Sequence, residues 1–472
     1  MLVLLQNLLN HKAAWFNFSF PADRVRNQFM RLKSSWFFVL IVFIFYSCAP
    51  LSKPFNAKKD TRPNFLIIVT DDQRFDTTEY MPQTQELIFN QGVTFSNAYA
   101  TTPLCGPSRS SMLTGMYAHH TEVRTNDDKL TKPTFVEDLQ ASGYRTGLVG
   151  KYLNTWKGEV RPEFDYWVSF FKGEVRYEDP PLNVNGKWSK QTGYITDLLG
   201  AYSVEFIQQS AQDDQPFLLI FAPNAPHEPS TPHPDDLGRY SDLEPNRPPS
   251  FNEADPSDKP SWFANRPLLE EQAIQNLDSF RRDQILTLVS LDRAIAKVVE
   301  SLAATGELEN TVIIFLSDNG KMWGEHRMDS KNSLYQEAVR IPFAMRYPAL
   351  IPQPYTEERV IGNIDIAPTL YDLAGLTTPA NIDGLSLVGL FETPASWRDG
   401  ILVEGWPPRG IYAGFHTSRY LYAETLNDRP EFYDLQNDPY QLENLAESPE
   451  FQEMIAAYKK NLDEIREPLA AP

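Results

Sequence analysis

The chain has 472 residues, 42% hydrophobic and 22% charged, a balance that excludes a wholly disordered protein and allows one large α/β domain with an appended subdomain. Its 43 basic and 62 acidic residues leave a net charge of −19, which excludes nucleic-acid binding through a general basic surface. Most of such a surface repels an anionic substrate, so a site for one must concentrate its own positive charge. Two cysteines, Cys48 and Cys105, are too few for a cysteine-rich metal site.

In chain order, the first element is an uninterrupted apolar run at 36–46, too short to span a bilayer and preceded by Met30, Arg31 and Lys33. It reads as the core of an export signal, with Met30 as the true start. The run ends Tyr46-Ser47-Cys48-Ala49, which resembles a bacterial lipoprotein cleavage site with Cys48 as the lipidated residue; the alternative is an ordinary secretory signal with an incidental Cys48. The expectation is an exported protein held at the membrane by a lipid anchor, periplasmic or on the cell surface, with 51–62 as a tether.

Apolar runs at 65–69, 146–149, 217–221 and 312–316 read as buried parallel strands. Helical periodicity lies between them, clearest from 284 to 304 with Ile285, Leu288, Leu291, Ile295, Val298 and Leu302 on one face and Gly306 as a stop. Strands alternating with helices predict an α/β fold whose mostly parallel sheet is covered on both faces. The segment 223–267 carries eleven prolines and reads as a long functional loop. Beyond a helix start at 364–369 the texture changes to short antiparallel strands at 401–404, 410–416 and 420–424 and a closing helix at 449–466. The expected organisation is a signal and tether over 1–62, a catalytic domain over 63–390 and a C-terminal α+β subdomain over 391–472.

Each of the four apolar strands runs directly into a polar cluster: Asp71-Asp72-Gln73, Gly150-Lys151, Ala225-Pro226-His227 and Ser317-Asp318-Asn319-Gly320. Ligands of open α/β sheets bind outside the carboxyl ends of the strands, so these clusters should converge on one rim. One such cluster is ordinary turn chemistry; four together define a site. Asp71, Asp72, Asp318 and Asn319 offer oxygen and no sulfur, which suits Ca2+ or Mg2+. Three carboxylates brought together repel one another unless a divalent ion neutralises them.

The sequence Cys105-Gly106-Pro107-Ser108-Arg109, continued to Leu113-Thr114-Gly115, places Pro107 to open a short helix and Gly115 to end it. The positive end of that helix would face an anion beside Cys105. This stretch resembles the signature of the type I sulfatases, in which the cysteine is oxidised to formylglycine (3-oxoalanine). The four strand-end clusters match that family in order, as do Gly324-Glu325-His326 with Lys331 and Phe432-Tyr433-Asp434-Leu435 with Asp438-Pro439. The resemblance runs from about Pro63 onward.

It implies an alkaline-phosphatase-like α/β sandwich, one Ca2+ held by Asp71, Asp72, Asp318, Asn319 and converted Cys105, and a maturation enzyme that makes the formylglycine. Arg109 would hold the formylglycine hydrate, and Lys151, His227 and Lys331 would contact the sulfate. One hydrate hydroxyl attacks sulfur and displaces the alcohol, with His227 or Lys331 as general acid. The second is deprotonated, the aldehyde re-forms and sulfate leaves. Many members read Gly-Lys-x-His, and that histidine is assigned to the deprotonation. This chain reads Gly150-Lys151-Tyr152-Leu153-Asn154, so His326 and His119 are the substitute bases to consider.

The Gly-Lys-Tyr-Leu-Asn variant is similar to the branch holding N-acetylglucosamine-6-sulfatases and heparan 6-O-endosulfatases, which implies a sulfated carbohydrate substrate, a polysaccharide or its oligosaccharides. Two alternatives remain: a phosphonate or phosphodiester hydrolase of the same fold, and a non-catalytic glycan-binding lipoprotein. Trp323 and Arg327 are candidates for lining a sugar site, His233 and His416 read as surface residues, and the acidic run 255–258 as a solvated loop.

Overall fold

The computed structural model describes residues 60–392, 397–407 and 410–469. The expected export signal, Met30 and Cys48 lie outside the described residues. Among the described residues, twelve strands precede the C-terminal region: β1 (Asn64–Thr70), β2 (Val93–Phe95), β3 (Ala98–Tyr99), β4 (Arg145–Gly150), β5 (Tyr166–Ser169), β6 (Pro181–Val184), β7 (Lys187–Lys190), β8 (Phe217–Ala222), β9 (Thr311–Ser317), β10 (Phe343–Arg346), β11 (Tyr355–Glu357) and β12 (Ile361–Gly362). Ten form one sheet in the order β11-β2-β10-β9-β1-β8-β4-β5-β6-β7. The central run β9-β1-β8-β4-β5 is parallel, as expected. β10 and β6 join it antiparallel and β7 pairs antiparallel with β6; β7 has no counterpart in the sequence reading because Lys187–Lys190 is exposed throughout.

β1 shows why the sheet is buried. Phe65, Ile67 and Val69 enter one apolar layer and Leu66 and Ile68 the other, so a strand apolar at every position must be covered on both faces. On one side lie the Glu271–Thr305 and Ile195–Ser210 helices; on the other, the helices Cys105–Thr114, Phe135–Ala141 and Ile366–Leu373. The long helix seats Leu288, Leu291, Ile295, Val298 and Leu302 in the core. Each such side chain contributes about 1.5–3 kcal/mol by burial, and Leu291→Ala costs about 2–5 kcal/mol. This helix begins thirteen residues before the expected 284, because its first turns are exposed or half-buried apart from Leu277 and carry no apolar stripe to read. Gly306, at φ 78°, ends it as expected.

Strand register sets the rim. β1 pairs with β9 up to Thr70 opposite Ser317, and Asp318 N donates to the Thr70 carbonyl at 3.0 Å, so Asp71 and Asp318 emerge side by side. Gly150 stands opposite Ala222, and Lys151 N donates to the Ala222 carbonyl at 2.7 Å. A Cβ on Gly150 would lie 1.9 Å from that carbonyl oxygen at φ +123°, so only glycine lets β4 deliver Lys151 here.

The C-terminal region forms a separate antiparallel sheet of β13 (Gly400–Gly405), β14 (Tyr412–Thr417), β15 (Tyr420–Thr425) and β16 (Glu431–Asp434). Tyr458 of the closing helix Gln452–Ile465 packs its ring on Phe415, Tyr420 and Phe432. His416, expected at the surface, is fully buried on β14, 4.9 Å from the Tyr99 ring. Every residue of β14 is buried, so a polar side chain there gains no water. Burial pushes the His416 imidazole down to about 3.

The proline-rich loop is tied down along its length. Asp236 takes both terminal nitrogens of Arg293 at 2.8 and 2.7 Å, Arg247 pairs with Asp278 at 2.7 Å, and Asn252 N donates to the Gly324 carbonyl at 2.8 Å.

Candidate active site

The site is built at the carboxyl ends of β1, β4, β8 and β9, as the four polar clusters predict. After Thr70 the chain turns at Asp72, whose φ of +65° is a left-handed conformation that aspartate tolerates better than most residues. Asp72 N donates to Asp318 Oδ1 at 3.1 Å, joining the first and fourth clusters.

The Cys105–Thr114 helix, buried at all ten positions, enters this ring with its first residue. The Cys105 thiol donates to Asp71 Oδ1 at 3.4 Å and lies 3.7 Å from Asp72 Oδ1, while Lys331 Nζ donates to its sulfur at 2.7 Å. Arg109, one turn on, donates from Nε to Asp318 Oδ2 at 2.8 Å and from Nη1 to the Lys151 carbonyl at 3.1 Å. Lys151 Nζ meets Asp71 Oδ2 at 2.6 Å, and Lys331 also pairs with Asp72. Gly115, at φ 72°, closes the helix as the motif predicts.

Six charges thus meet in near-complete burial, three acids against three cations. Burial raises the Asp71 carboxyl, but Lys151, His227 and Arg109 outweigh it and bring it down to about 2. Asp72 is likewise raised by burial and then held well below the usual carboxylate range, chiefly by Lys331 and His227. Asp318 is displaced upward by burial and by the charge of Asp71. Burial lowers Lys331, yet Asp72, Cys105 and Asp71 keep it protonated far above the normal lysine range. Burial and Asp318 push the Cys105 thiol up, so the residue is a poor thiolate nucleophile where it stands.

The donor set fits a hard divalent cation. Ligand atoms of Asp71, Asp72, Cys105 and His227 lie within 4.8 Å of one another. Asn319 donates from Nδ2 to Asp72 Oδ1 at 2.7 Å, while its Oδ1 is buried without a hydrogen-bond partner among the described residues. An orphaned amide oxygen beside carboxylates is what such an ion takes up.

Among the described histidines, His227 reaches the ring. Its Nε2 is 3.9 Å from Asp72 Oδ2, and its Nδ1 donates to the Glu228 carbonyl at 2.8 Å. The structure does not bring in His326 or His119. His326 pairs with Glu253 at 2.7 Å and stacks on Tyr335, with ring centroids 4.0 Å apart. His119 pairs with Glu404 at 2.9 Å and lines a different cavity of about 760 Å³ with His120 and Arg398. Leu153, where many relatives of the expected family carry histidine, is buried in the core.

Trp323 and Arg327 are structural. Trp323 donates to Gln284 Oε1 at 2.6 Å and is flanked by Arg74 and Arg281, while Arg327 donates to the carbonyls of Glu253, Ala254 and Arg266. Lys321, which the sequence reading passed over, stands beside Glu228 on the same rim; a lysine following Asn-Gly reads as a loop charge until Glu228 is placed next to it.

An alkaline-phosphatase-like α/β sandwich that closes a cysteine into a ring of oxygen ligands and buried cations defines a metal-dependent class of centre for anionic esters. The chain belongs to the sulfatase family. The family model for sulfatases matches residues 63–376, and that for the C-terminal region of N-sulphoglucosamine sulphohydrolase matches 324–468. The chain is 33% identical over 387 residues to the extracellular sulfatase SULF-1 homolog of Drosophila melanogaster, covering 76% of this chain and 34% of that protein. It is 33% identical over 376 residues to the N-acetylglucosamine-6-sulfatase of Homo sapiens, covering 73% and 67%. It thus spans about a third of the fly protein's length, and 56% of that of a Caenorhabditis elegans Sulf-1 homolog. Among solved structures, a protein in complex with its substrate D-glucosamine-2-N,6-O-disulfate superposes with a TM-score of 0.78 at 25% identity, covering 85% of this chain and 97% of that one.

Proposed function

We propose that the protein hydrolyses sulfate esters of a carbohydrate, with Cys105 converted to formylglycine as nucleophile. The observation that carries this reading is the contact set of Cys105: two carboxylates and the Lys331 ammonium around one buried side chain at a helix start. The carbohydrate class is supported by relatives named for N-acetylglucosamine 6-sulfate and by the neighbour solved with a sulfated glucosamine.

Asp71, Asp72, Asp318 and Asn319, with the converted Cys105 side chain, would hold Ca2+, which when bound supplies a Lewis acid that makes a hydrate hydroxyl more acidic. Arg109 and Lys151 fix the carboxylates, and with Lys331 they present positive charge to the non-bridging sulfate oxygens. As oxygen joins sulfur, the sulfur–alkoxide bond breaks and the departing alkoxide takes a proton from His227 or Lys331. Removing the remaining hydrate proton then re-forms the aldehyde and expels sulfate. With Leu153 in the core, and His326 and His119 paired elsewhere, His227 is the imidazole that stands at this ring among the described residues.

Export through the 36–46 segment with lipidation at Cys48 completes the proposal, since an anchored enzyme meets polymers too large to import. The test is mass spectrometry of the peptide containing Cys105 together with kinetics on sulfated oligosaccharides and on a small aryl sulfate. Full activity with an unmodified thiol, or a small ester turned over as efficiently as every glycan, would overturn the reading.

A further inference from the structure

Four cations border the acidic ring, and three are committed to it. Lys151 meets Asp71, Arg109 meets Asp318, and Lys331 meets Asp72; the three carboxylates are at most 2% exposed. Removing one partner of such a pair strands a buried charge, so these cations can face the scissile sulfate from where they stand but are not free to follow a second anion.

Lys321 is held differently. It lies two residues after Asn319, with its side chain buried and its ammonium donating to Glu228 Oε1 at 3.0 Å. The Phe280 ring lies 5.2 Å from the same ammonium. Glu228 is 58% exposed and directly follows His227, whose Nε2 lies 3.9 Å from Asp72. The ammonium therefore stands on the rim where His227 meets the ring. Its field reaches Asp72: burial raises that carboxyl, and Lys331, His227 and Lys321, in that order, more than reverse the effect. An ammonium can donate three hydrogen bonds, and the described residues give this one a single acceptor standing in water. Glu228 can swing into water, whereas the lysine side chain, 7% exposed, then needs another acceptor in its place.

We propose that Lys321 is a specificity-determining residue: its ammonium trades Glu228 for a second anionic group, a sulfate or a carboxylate, that the substrate carries beside the scissile ester. The proposal rests on the sulfatase reading above. It gives this acidic protein a cation that a doubly charged sugar can engage without disturbing the buried pairs.

The test compares kcat/KM of the calcium-loaded, Cys105-converted enzyme on three substrates. They are a hexosamine with one sulfate ester, the same sugar with a second sulfate, and a disaccharide placing a uronate beside the singly sulfated residue. The selectivity for either doubly anionic substrate over the first should fall about 10- to 100-fold in Lys321→Met, the range of one charge-assisted hydrogen bond, and mainly through KM. Lys321→Arg should recover it, and Glu228→Gln should raise it. The two doubly anionic arms show which anion is read. Selectivity unchanged in Lys321→Met, or unraised in Glu228→Gln, overturns the proposal, and the exposed Glu228 position decides alone if Lys321→Met does not fold. If the converted wild type turns over no sulfate ester, the sulfatase reading fails by itself. Calorimetric binding of the disulfated sugar to Cys105→Ala then judges Lys321: affinity at least tenfold weaker in the Lys321→Met double variant supports the role, and equal affinity refutes it.

Discussion

Lys151→Ala probes the charge balance of the site. Lys151 and Asp71 are both fully buried and meet at 2.6 Å, while the next cation to Asp71, Arg109, is 3.8 Å away. Truncating the lysine leaves Asp71 with that longer contact. Breaking a buried pair by removing one partner costs about 3–5 kcal/mol, and the remaining Arg109 places the expected loss near the lower end, at about 3 kcal/mol. A divalent ion bound by Asp71 supplies the missing charge, so in saturating calcium the loss should shrink to about 1 kcal/mol. By linkage, the difference of about 2 kcal/mol means that the variant binds calcium about 30-fold more tightly, because a competing cation has gone. Urea unfolding followed by tryptophan fluorescence, in chelator and in calcium, measures both quantities. An equal loss in the two conditions, or weaker calcium binding by the variant, would refute the placement of the ion among these carboxylates.

His416 gives the fold a defined acid sensitivity. Its folded value of about 3 lies below the ordinary 6.5, so stability is full above pH 6.5 and falls as the pH drops toward 3, because the unfolded chain takes the proton first. The loss attributable to it at pH 5 is about 2 kcal/mol, and His416→Phe should flatten the stability profile from pH 7 to 5. Gly150→Ala should cost on the order of 3 kcal/mol and reduce turnover, since the new methyl meets the Ala222 carbonyl; an unchanged urea midpoint would contradict the β4 geometry. Chelation should abolish turnover reversibly, while Asp318→Ala should abolish it irrecoverably and strand the buried Arg109, lowering stability as well. Activity in the variant restored by added calcium would exclude Asp318 from the site.

How much of this was legible in the sequence depended on whether the decisive neighbour was local. Phe65 to Val69 announces a buried strand, and Asp71 and Asp72 directly after it announce a rim, because strand period and strand end are both local facts. The Cys105 helix was equally clear, with Pro107 near its start and Gly115 in the left-handed cap. His326 misled because it sits in a site-like run, while its partner Glu253 arrives from the proline-rich loop 73 residues away in sequence. Trp323 and Arg327 are claimed by distant backbone and side chains in the same way. His416 was misplaced because a histidine among apolar neighbours does not reveal that both faces of its strand are covered. The extra turns of the long helix lacked a stripe to betray them, and Lys321 gained meaning only when a different strand end brought up Glu228.

The pairing of β1 with β9 joins Thr70 to Ser317 across about half of the chain. During synthesis Cys105 therefore emerges long before the strand that completes its surroundings. Roughly two hundred residues separate the two, a delay of about 10–40 s at ordinary translation rates. For that interval the thiol, later 1% exposed, is an open side chain on an unfinished polypeptide. Chemistry that must reach the sulfur has its opportunity then, and the closing of the sheet ends it.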